Sequence, residues 1–327
     1  AVVSTQSTWG HTDPISSCTH HKMRSAFITA LLAAVATASP IEKRQTPNID
    51  AVILNYALTL EHLENAFYKE GLANFTAADF AAAGFGGAFY TNLQEIAKDE
   101  QTHVDFLTAG LTAAGASPVA PCTYKFPYTN PGSFLTLSKM LEGVGVSAYL
   151  GAAQNITSPT YLTYAGSILT VESRHDAYVR SQLALSPFPG PFDTPLDFNE
   201  VYTIASSVIV SCPSTNVALP VKAFPSLGFT SSTQAQSGTT GTFSTTATGL
   251  SGPLYLAFLS GPLAPVYVPA TVSGTTVTAT IPPSMLDGQV YALLTKQSTG
   301  DMIMDSAILA GPAVVEVALP GAQIVLA

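Results

Sequence analysis

The chain has 327 residues and a formal net charge of −9, and only 10% of its residues are charged, against roughly a quarter in an average globular protein. Binding to nucleic acid normally needs a cluster of Lys and Arg, which this acidic chain lacks, so nucleic acid is excluded as an expected partner. Beyond residue 44 no apolar run approaches the ~20 residues that span a bilayer, and we expect a mature chain that is not transmembrane.

The N-terminal residues are expected to be removed from the working protein. Met23 opens a stretch with a basic start, an apolar run and a small-residue cleavage pattern, which together are typical of a secretory signal peptide. The Lys43-Arg44 pair that follows resembles a dibasic processing site. We therefore interpret 1–22 as a leader or gene-model extension and 23–44 as signal peptide and propeptide. The mature chain is predicted to begin at Gln45 and to be secreted, extracellularly or to the cell wall.

Apolar residues recur at helical spacing up to about residue 217 and predict five helices. Thr46-Pro47 and Thr194-Pro195 each place a capping residue before a proline, the arrangement preferred at a helix start. Gly71 is expected to end the first helix, and a capping-box pattern at Thr76 adds a short helical piece. The five helices are expected at 47–70, 87–114, 133–153, 159–185 and 195–212.

The composition changes near residue 218, after which Ser, Thr, Gly and Val dominate. Short β-branched stretches of partly alternating polarity, separated by Gly, Pro and Ser, are typical of a small β-sandwich or barrel. We therefore predict a mainly helical domain over 45–217 and an all-β, sandwich-like domain over 218–327. The six strands are expected within 241–250, 253–259, 264–272, 275–282, 289–295 and 313–319.

Two further features agree with secretion. The sequons that begin at Asn74 and Asn155 are acceptors for N-glycosylation, although each can also be an ordinary surface loop. Beyond the leader the cysteines are Cys122 and Cys212, and such a pair in an oxidising compartment predicts a disulfide. The alternative interpretation is two buried free thiols.

Acids and histidines concentrate at two places with the same Glu-x-x-His spacing, Glu100 with His103 and Glu172 with His175. Residues three apart share a helix face, so each pair directs a carboxylate and an imidazole the same way. One such pair is usually a solvated face. Beyond residue 44, however, His62 is the only other histidine, and the doubled pattern favours a built site. Four nearby charges are expected to be solvated or to hydrogen bond to that site: Asp99, Asp105, Arg174 and Asp176.

The two remaining long helices carry another doubled pattern, in which Glu61 precedes Tyr68 and Glu142 precedes Tyr149 by seven residues. Seven residues are two helical turns less about 20°, so each tyrosine lies on the stripe of its glutamate. These tyrosines are either plain core residues or hydrogen-bond partners of metal ligands. Glu64, one turn beyond Glu61, is the alternative ligand on the first helix, and the tyrosine spacing favours Glu61.

The local sequences "LNYALTLEHLENAFY" (54–68) and "DEQTHVDFL" (99–107) resemble the secreted fungal ferritin-like proteins that are related to plant desiccation-related proteins. One Glu from each of two helices plus Glu-x-x-His from each of two others is the pattern of dimetal carboxylate bundles such as ferritin and rubrerythrin. Over about 48–212, this resemblance implies a ferritin-like four-helix bundle with a fifth helix. The β-rich tail lies outside it.

The resemblance also implies a centre of two iron or manganese ions, bridged by Glu100 and Glu172, with His103 on one ion and His175 on the other. Four carboxylates in a bundle core repel one another, and two divalent cations neutralise them. Oxygen-rich ligation with imidazole and without thiolate suits iron or manganese better than zinc or copper. The implied ligands are Glu61, Glu100, His103, Glu142, Glu172 and His175.

A secreted ferritin-like protein with redox chemistry on dioxygen or peroxide is the first functional hypothesis. The alternative is a non-enzymatic extracellular or cell-wall protein associated with stress or desiccation, with a structural or vestigial metal site. In that case the charge-poor β domain is the binding part, with wall polysaccharide as its partner. Iron storage needs a closed shell of many subunits, which a bulky β tail and glycans disfavour.

Overall fold

The structure is a computed structural model and describes residues 48–231, 235–283 and 288–318. The predicted leader, signal peptide and propeptide lie outside the described residues. The described residues all belong to one compact unit. Among the described residues, no helix has the length and apolar character needed to cross a membrane.

The first part of the described chain is helical, with four long helices and two short ones. α1 packs along α3, and α4 packs along α5. Apolar side chains from these helices form the core of this part, with Phe67, Leu93 and Phe134 fully buried in it. In chain order the helices are α1 (Ile49–Asn74), α2 (Ala77–Ala82), α3 (Phe89–Ala113), α4 (Pro131–Ala153), α5 (Pro159–Gln182) and α6 (Phe198–Ser206).

The predicted end of the first helix at Gly71 is wrong, because α1 continues to Asn74. A Cβ atom at position 71 would overlap the ring of Phe134, which packs directly on the helix there. The glycine therefore serves close packing between α1 and α4 rather than helix termination. At the other end of α1 the cap is the side chain of Asn48, which accepts a hydrogen bond from the Asp50 N–H, whereas Thr46-Pro47 lies outside the described residues.

The predicted start of the last helix at Thr194-Pro195 is also wrong. α6 begins at Phe198, where Asp197 and Glu200 form a capping box through their side chains and backbone N–H groups. The Thr194 hydroxyl instead accepts a hydrogen bond from the backbone N–H of Gly261 at 2.7 Å. The segment before α6 is thus held by tertiary contacts, which outweigh the local preference for a helix start at the proline.

The long connection between α3 and α4 is tied to the end of the helical part. The predicted disulfide is present and joins Cys122 to Cys212. Beside it, β1 (Thr123–Tyr124) pairs antiparallel with β2 (Ile209–Ser211). The connection therefore has both a covalent and a hydrogen-bonded link to the chain that follows α6.

The second part is β-rich, so the coarse prediction of a helical part followed by an all-β part is confirmed. All six predicted strand regions contain strands, and the segment 264–272 divides into β7 and β8, which belong to different sheets. One sheet has the order β4-β11-β10-β6-β7, and the other has the order β3-β5-β9-β8. The strands are β3 (Leu227–Phe229), β4 (Ala235–Gln236), β5 (Thr240–Thr245), β6 (Tyr255–Leu259), β7 (Val266–Pro269), β8 (Thr271–Ser273), β9 (Thr276–Thr280), β10 (Gly288–Thr295) and β11 (Ile308–Ala318).

Apolar side chains from both sheets share one core. Phe243 on β5 and Phe258 on β6 are buried there with ring centroids 6.4 Å apart, and Val277 on β9 joins them. Residues on β5 and β9 alternate between buried and less buried positions, as expected for strands with one covered face.

The β-rich part rests against α4 and α5. The hydroxyl of Tyr291 on β10 donates to the Gly143 carbonyl oxygen at 3.1 Å and lies 2.7 Å from the Ser147 hydroxyl. Glu316 on β11 forms ion pairs with Lys139 and Arg180. These contacts hold the sheets against two of the helices that carry the candidate site. The domain boundary at 217/218 stays a prediction.

Candidate metal centre

Each of the four long helices directs one fully buried glutamate into the interior of the helical part. These are Glu61 on α1, Glu100 on α3, Glu142 on α4 and Glu172 on α5, and each is 0% exposed. Ionised carboxylates are almost never found in such places unless they are paired or bind metal.

The first donor group consists of Glu61, Glu100, His103 and Glu172, whose donor atoms all lie within 4.8 Å of one another. His103 Nδ1 is 3.2 Å from Glu61 Oε2, 3.5 Å from Glu100 Oε2 and 3.2 Å from Glu172 Oε1. One ring nitrogen has one proton at most and cannot satisfy three carboxylates by hydrogen bonding.

The second donor group consists of Glu100, Glu142, Glu172 and His175, again within 4.8 Å. His175 Nδ1 is 3.0 Å from Glu100 Oε1, 3.5 Å from Glu142 Oε2 and 3.8 Å from Glu172 Oε2. Glu100 and Glu172 belong to both groups, and each turns one oxygen toward His103 and the other toward His175. Glu100 and Glu172 thus lie between the two histidines and connect the two donor groups.

The buried atoms without a hydrogen-bond partner provide a test of whether a metal fits. In the described part of the chain, eight such atoms face the two donor groups. They are Glu61 Oε2, both oxygens of Glu100, His103 Nδ1, Glu142 Oε2, both oxygens of Glu172 and His175 Nδ1. Buried polar atoms are normally paired, and leaving so many unpaired in one place is costly.

Donor spacing agrees with this interpretation. Two atoms that bind one metal at about 2.1 Å lie about 3.0–3.5 Å apart for ligand angles near 90–110°. The measured separations between the His103 nitrogen and its carboxylates, 3.2 to 3.5 Å, fall in that range. The spacing and the chemistry of these donors therefore fit metal binding.

Without a cation the cluster has to retain protons. Burial and the charge of Glu172 raise the pKa values of Glu61 and Glu100. Burial opposes protonation of His103, but its three carboxylate neighbours outweigh this and raise its pKa to about 12. Burial likewise disfavours ionised Glu172, but the adjacent imidazoles of His103 and His175 lower its pKa to about 2. Protons on these carboxyl and imidazole groups thus offset the negative charge that bound cations would otherwise neutralise.

Comparison with known proteins agrees with this geometry. The family described as Ferritin-like domain matches residues 49–185, a range that includes all six candidate ligands. Residues 49–185 thus match the ferritin-like domain family. The resemblance predicted from the local sequences is thereby confirmed.

Two similar proteins extend the comparison. The chain is 26% identical over 196 residues to protein rds1 of Schizosaccharomyces pombe, a match that covers 60% of this chain and 48% of rds1. The chain thus spans about half the length of the curated relative it matches. A crystal structure of a conserved hypothetical protein from Mycobacterium tuberculosis is 16% identical, with a TM-score of 0.36, and covers 44% of this chain and 96% of that one.

Tyr68 and Tyr149 bond crosswise to two of these carboxylates. The Tyr68 hydroxyl donates to Glu142 and lies 2.7 Å from the Ser138 hydroxyl, while the Tyr149 hydroxyl donates to Glu61. Each tyrosine therefore holds the glutamate of the opposite helix. Seven residues span about 10 Å along a helix, so a tyrosine at that distance is better placed for a carboxylate on the neighbouring helix than for its own.

Two further carboxylates lie near the donor groups. Asp99 Oδ2 is 3.3 Å from His175 Nε2, which places a carboxylate on the ring nitrogen that faces away from the cluster. Glu64 is buried but belongs to neither donor group, and the structure puts Glu61 there instead. Burial and four carboxylates, Glu172 first among them, raise the pKa of Glu64 well above its ordinary value. The sequence points to Glu64 as a neighbour of the donor groups because it lies one turn from Glu61, on the same face of α1.

Proposed function

We propose that this protein is a secreted ferritin-like protein whose four long helices form a four-helix bundle around a dinuclear iron or manganese centre. In this proposal the centre acts on dioxygen or peroxide, and the C-terminal sheets form a sandwich-like domain beside it. The observation that carries the proposal is the set of eight unpaired buried donor atoms, arranged in two groups that share two carboxylates.

The ligand roles follow from which oxygen faces which histidine. Glu61 and His103 would bind the first ion alone, Glu142 and His175 would bind the second alone, and Glu100 and Glu172 would bind both. Each ion then has four protein donors, three oxygens and one nitrogen. This mixed donor set without thiolate favours iron or manganese over softer metals.

The centre, when loaded, supplies the capacity to exchange electrons with dioxygen or peroxide. The chain supplies the environment in which that exchange takes place. Tyr68 and Tyr149 orient the terminal carboxylates through their hydroxyl groups, and Asp99 accepts from the outer nitrogen of His175, which selects Nδ1 as the metal-binding atom. The complete burial of the four glutamates keeps bulk water away from the donors.

Several features support secretion in this proposal. The chain contains a disulfide, as is usual in oxidising compartments, and both sequon asparagines, Asn74 and Asn155, are exposed. The β-rich part is the surface proposed to contact wall polysaccharide. If the metal is only structural, the same features describe a non-enzymatic extracellular protein associated with stress.

Metal analysis of the purified secreted protein tests the proposal. We expect two iron or manganese ions per wild-type chain, and loss of both in Glu100→Gln or Glu172→Gln, because each of these residues bridges. His103→Ala should lower the content to about one ion, because it removes a ligand of one site only. Glu95→Ala, an exposed position on the same helix as Glu100, is the matched control and should keep both ions.

The Glu100→Gln, Glu172→Gln double variant tests most directly whether these residues form a dinuclear site. Unchanged metal content in that variant contradicts a dinuclear site at these residues. Absorption spectra and peroxide turnover of the loaded protein then separate the two functional hypotheses. Turnover supports the redox function, and a bound but redox-silent metal supports the structural alternative.

A further inference from the structure

An apolar cavity lies in the ferritin-like domain beside the candidate metal centre. Its volume is about 290 Å³, close to the lower end of the ~300–1,000 Å³ typical of small-molecule sites. Side chains from α1, α3, α4 and α5 line it. It therefore lies between all four long helices, and it opens to solvent on one side.

Small residues at inward helix positions create this cavity. Ala57 on α1, Ala148 and Ala152 on α4 and Ala165 on α5 line it, and all four are buried. Gly110 on α3 also lines it, and a Cβ atom there would meet no other atom within 4 Å. Protein interiors are normally close-packed, and an empty volume reduces stability in proportion to its size. Larger apolar side chains at these positions would have filled the space.

The inner end of the cavity lies next to the first donor group. Ala57 is one helical turn before Glu61, and Leu107 is one turn after His103, so both wall residues are about 6 Å along their helices from a candidate ligand. Tyr149 also lines the cavity, and its hydroxyl donates to Glu61. A single side chain thus contacts both the cavity and the donor group.

The chemistry of the wall defines the class of occupant. None of the described lining residues is charged. The buried tyrosines Tyr56 and Tyr149 direct their hydroxyls elsewhere, to the Phe198 carbonyl oxygen and to Glu61, and present their rings to the cavity. A polar occupant would lose its hydrogen bonds to water here without replacing them, whereas an apolar occupant gains by leaving water.

Two partly exposed aromatic residues lie where the cavity opens to solvent. Phe106 and Tyr164 line it, are each 43% exposed, and contact each other edge to face with ring centroids 5.2 Å apart. Large exposed aromatic side chains at the rim of a concave apolar site are a common feature of binding sites.

We propose that this cavity binds one apolar small molecule of about ten non-hydrogen atoms and holds it beside the Tyr149–Glu61 side of the metal centre. The size follows from the cavity volume if each atom takes roughly the ~30 Å³ of a water molecule in the liquid. The occupant's role as substrate rests on the proposed redox function, but its binding does not require the metal.

Equilibrium dialysis of the intact secreted protein against naphthalene, an apolar molecule of ten carbon atoms, tests the proposal. We expect one naphthalene per chain, bound by metal-loaded and metal-stripped protein alike. Gly110→Leu places a side chain in the open space and should weaken binding by at least about tenfold, equivalent to ~1.4 kcal/mol. The same change improves helix propensity, so we expect this variant to fold. Ala57→Leu fills the cavity from the neighbouring helix α1 and should have the same effect.

Gly166→Leu is the matched control. Gly166 also lies within a helix, a Cβ atom there meets no other atom within 4 Å, and it does not line the cavity, so naphthalene binding should be unchanged. Equal binding by wild type, Gly110→Leu and Ala57→Leu, or no binding by wild type, overturns the proposal. A dimer in sedimentation that Gly110→Leu dissociates also overturns it, because the cavity is then covered by a second copy.

Metal content measured on the same samples separates this inference from the proposed function. Protein with two ions and no naphthalene contradicts the cavity proposal alone. Protein that binds naphthalene but takes up no metal contradicts the proposed function alone.

Discussion

Glu316 is the residue whose substitution tests how the β-rich part is held to the helices. Its carboxylate pairs with Lys139 on α4 and with Arg180 on α5, where Nη2 lies 2.6 Å from Oε1 and Nη1 lies 3.2 Å from Oε2. The Arg180 side chain is 2% exposed and that of Glu316 is 17% exposed. Glu316→Gln preserves the shape of the side chain but leaves two cations opposite a neutral amide.

The burial of this ion-pair network determines how much stability Glu316→Gln should cost. Breaking a buried ion pair by removing one partner costs about 3–5 kcal/mol, whereas exposed pairs are worth about 0.2–1 kcal/mol. Glutamine can still accept a hydrogen bond, which favours the lower value. Asp176 interacts electrostatically with the same three charged groups, and burial raises its pKa to about 7. Loss of the Glu316 charge eases ionisation of Asp176, and this too limits the cost. We expect Glu316→Gln to lower the free energy of unfolding by about 3 kcal/mol.

Guanidinium unfolding at pH 7, followed by circular dichroism at fixed metal content, measures this change. Glu95→Gln is the control, since Glu95 forms an exposed pair with Lys98 and its loss should cost less than about 1 kcal/mol. The Glu316→Gln, Asp176→Asn double variant should lose more stability than Glu316→Gln, because the compensating carboxylate is removed. If Glu316→Gln is no more destabilising than Glu95→Gln, the network does not hold the two parts together.

The same residue predicts a pH dependence. Burial disfavours ionised Glu316, but Lys139 and Arg180 outweigh this and hold its pKa below the ordinary value of 4.5. Its contribution to stability is therefore complete above about pH 4.5 and is lost as the pH falls through the folded-state pKa. In acid, wild type should lose stability more steeply than Glu316→Gln.

Three further predictions concern other parts of the chain. Replacing Cys122 and Cys212 by serine opens a link across 90 residues and should lower the free energy of unfolding by about 4–5 kcal/mol in the chain-entropy model, measured by denaturant unfolding. Burial raises the pKa of Glu200 to about 8, so Glu200 should make wild-type stability fall as the pH rises from 4.5 to 8, and Glu200→Gln should reduce that slope. Enzymatic deglycosylation of the secreted protein should reduce its mass through loss of glycans at Asn74 and Asn155.

The composition of the candidate site could be predicted because its pattern is local. The Glu-x-x-His spacing decides which way two side chains face on one helix, and helix geometry makes that decision without tertiary information. In a chain with so few charges, a repeated acid–histidine pattern favours a built site over a solvated helix face. The structure brings Glu100, His103, Glu172 and His175 together as that spacing indicates.

The remaining features depend on contacts between distant residues. Gly71 and Thr194-Pro195 carry strong local signals for a helix end and a helix start, and tertiary contacts outweigh both signals, close packing on Phe134 in the first case and a hydrogen bond from Gly261 in the second. The apolar cavity could not be predicted either, because alanine is an ordinary helix residue. Only the arrangement of four helices shows that their small residues meet at one place.

The crosswise tyrosines connect the two halves of the helical part into one site. α1 pairs with α3 and α4 pairs with α5, and each pair supplies two of the buried glutamates and one histidine of the donor groups. Tyr149 of the second pair holds Glu61 of the first, and Tyr68 of the first holds Glu142 of the second. Each half therefore contains some of the donor residues, together with the tyrosine that hydrogen bonds to a glutamate of the other half. Neither half completes a donor group alone, so metal binding and the packing of the two halves should be coupled. A bound cation would then stabilise the assembled helices, because ligand bonds that only the assembled state can make would replace the repulsion between buried carboxylates.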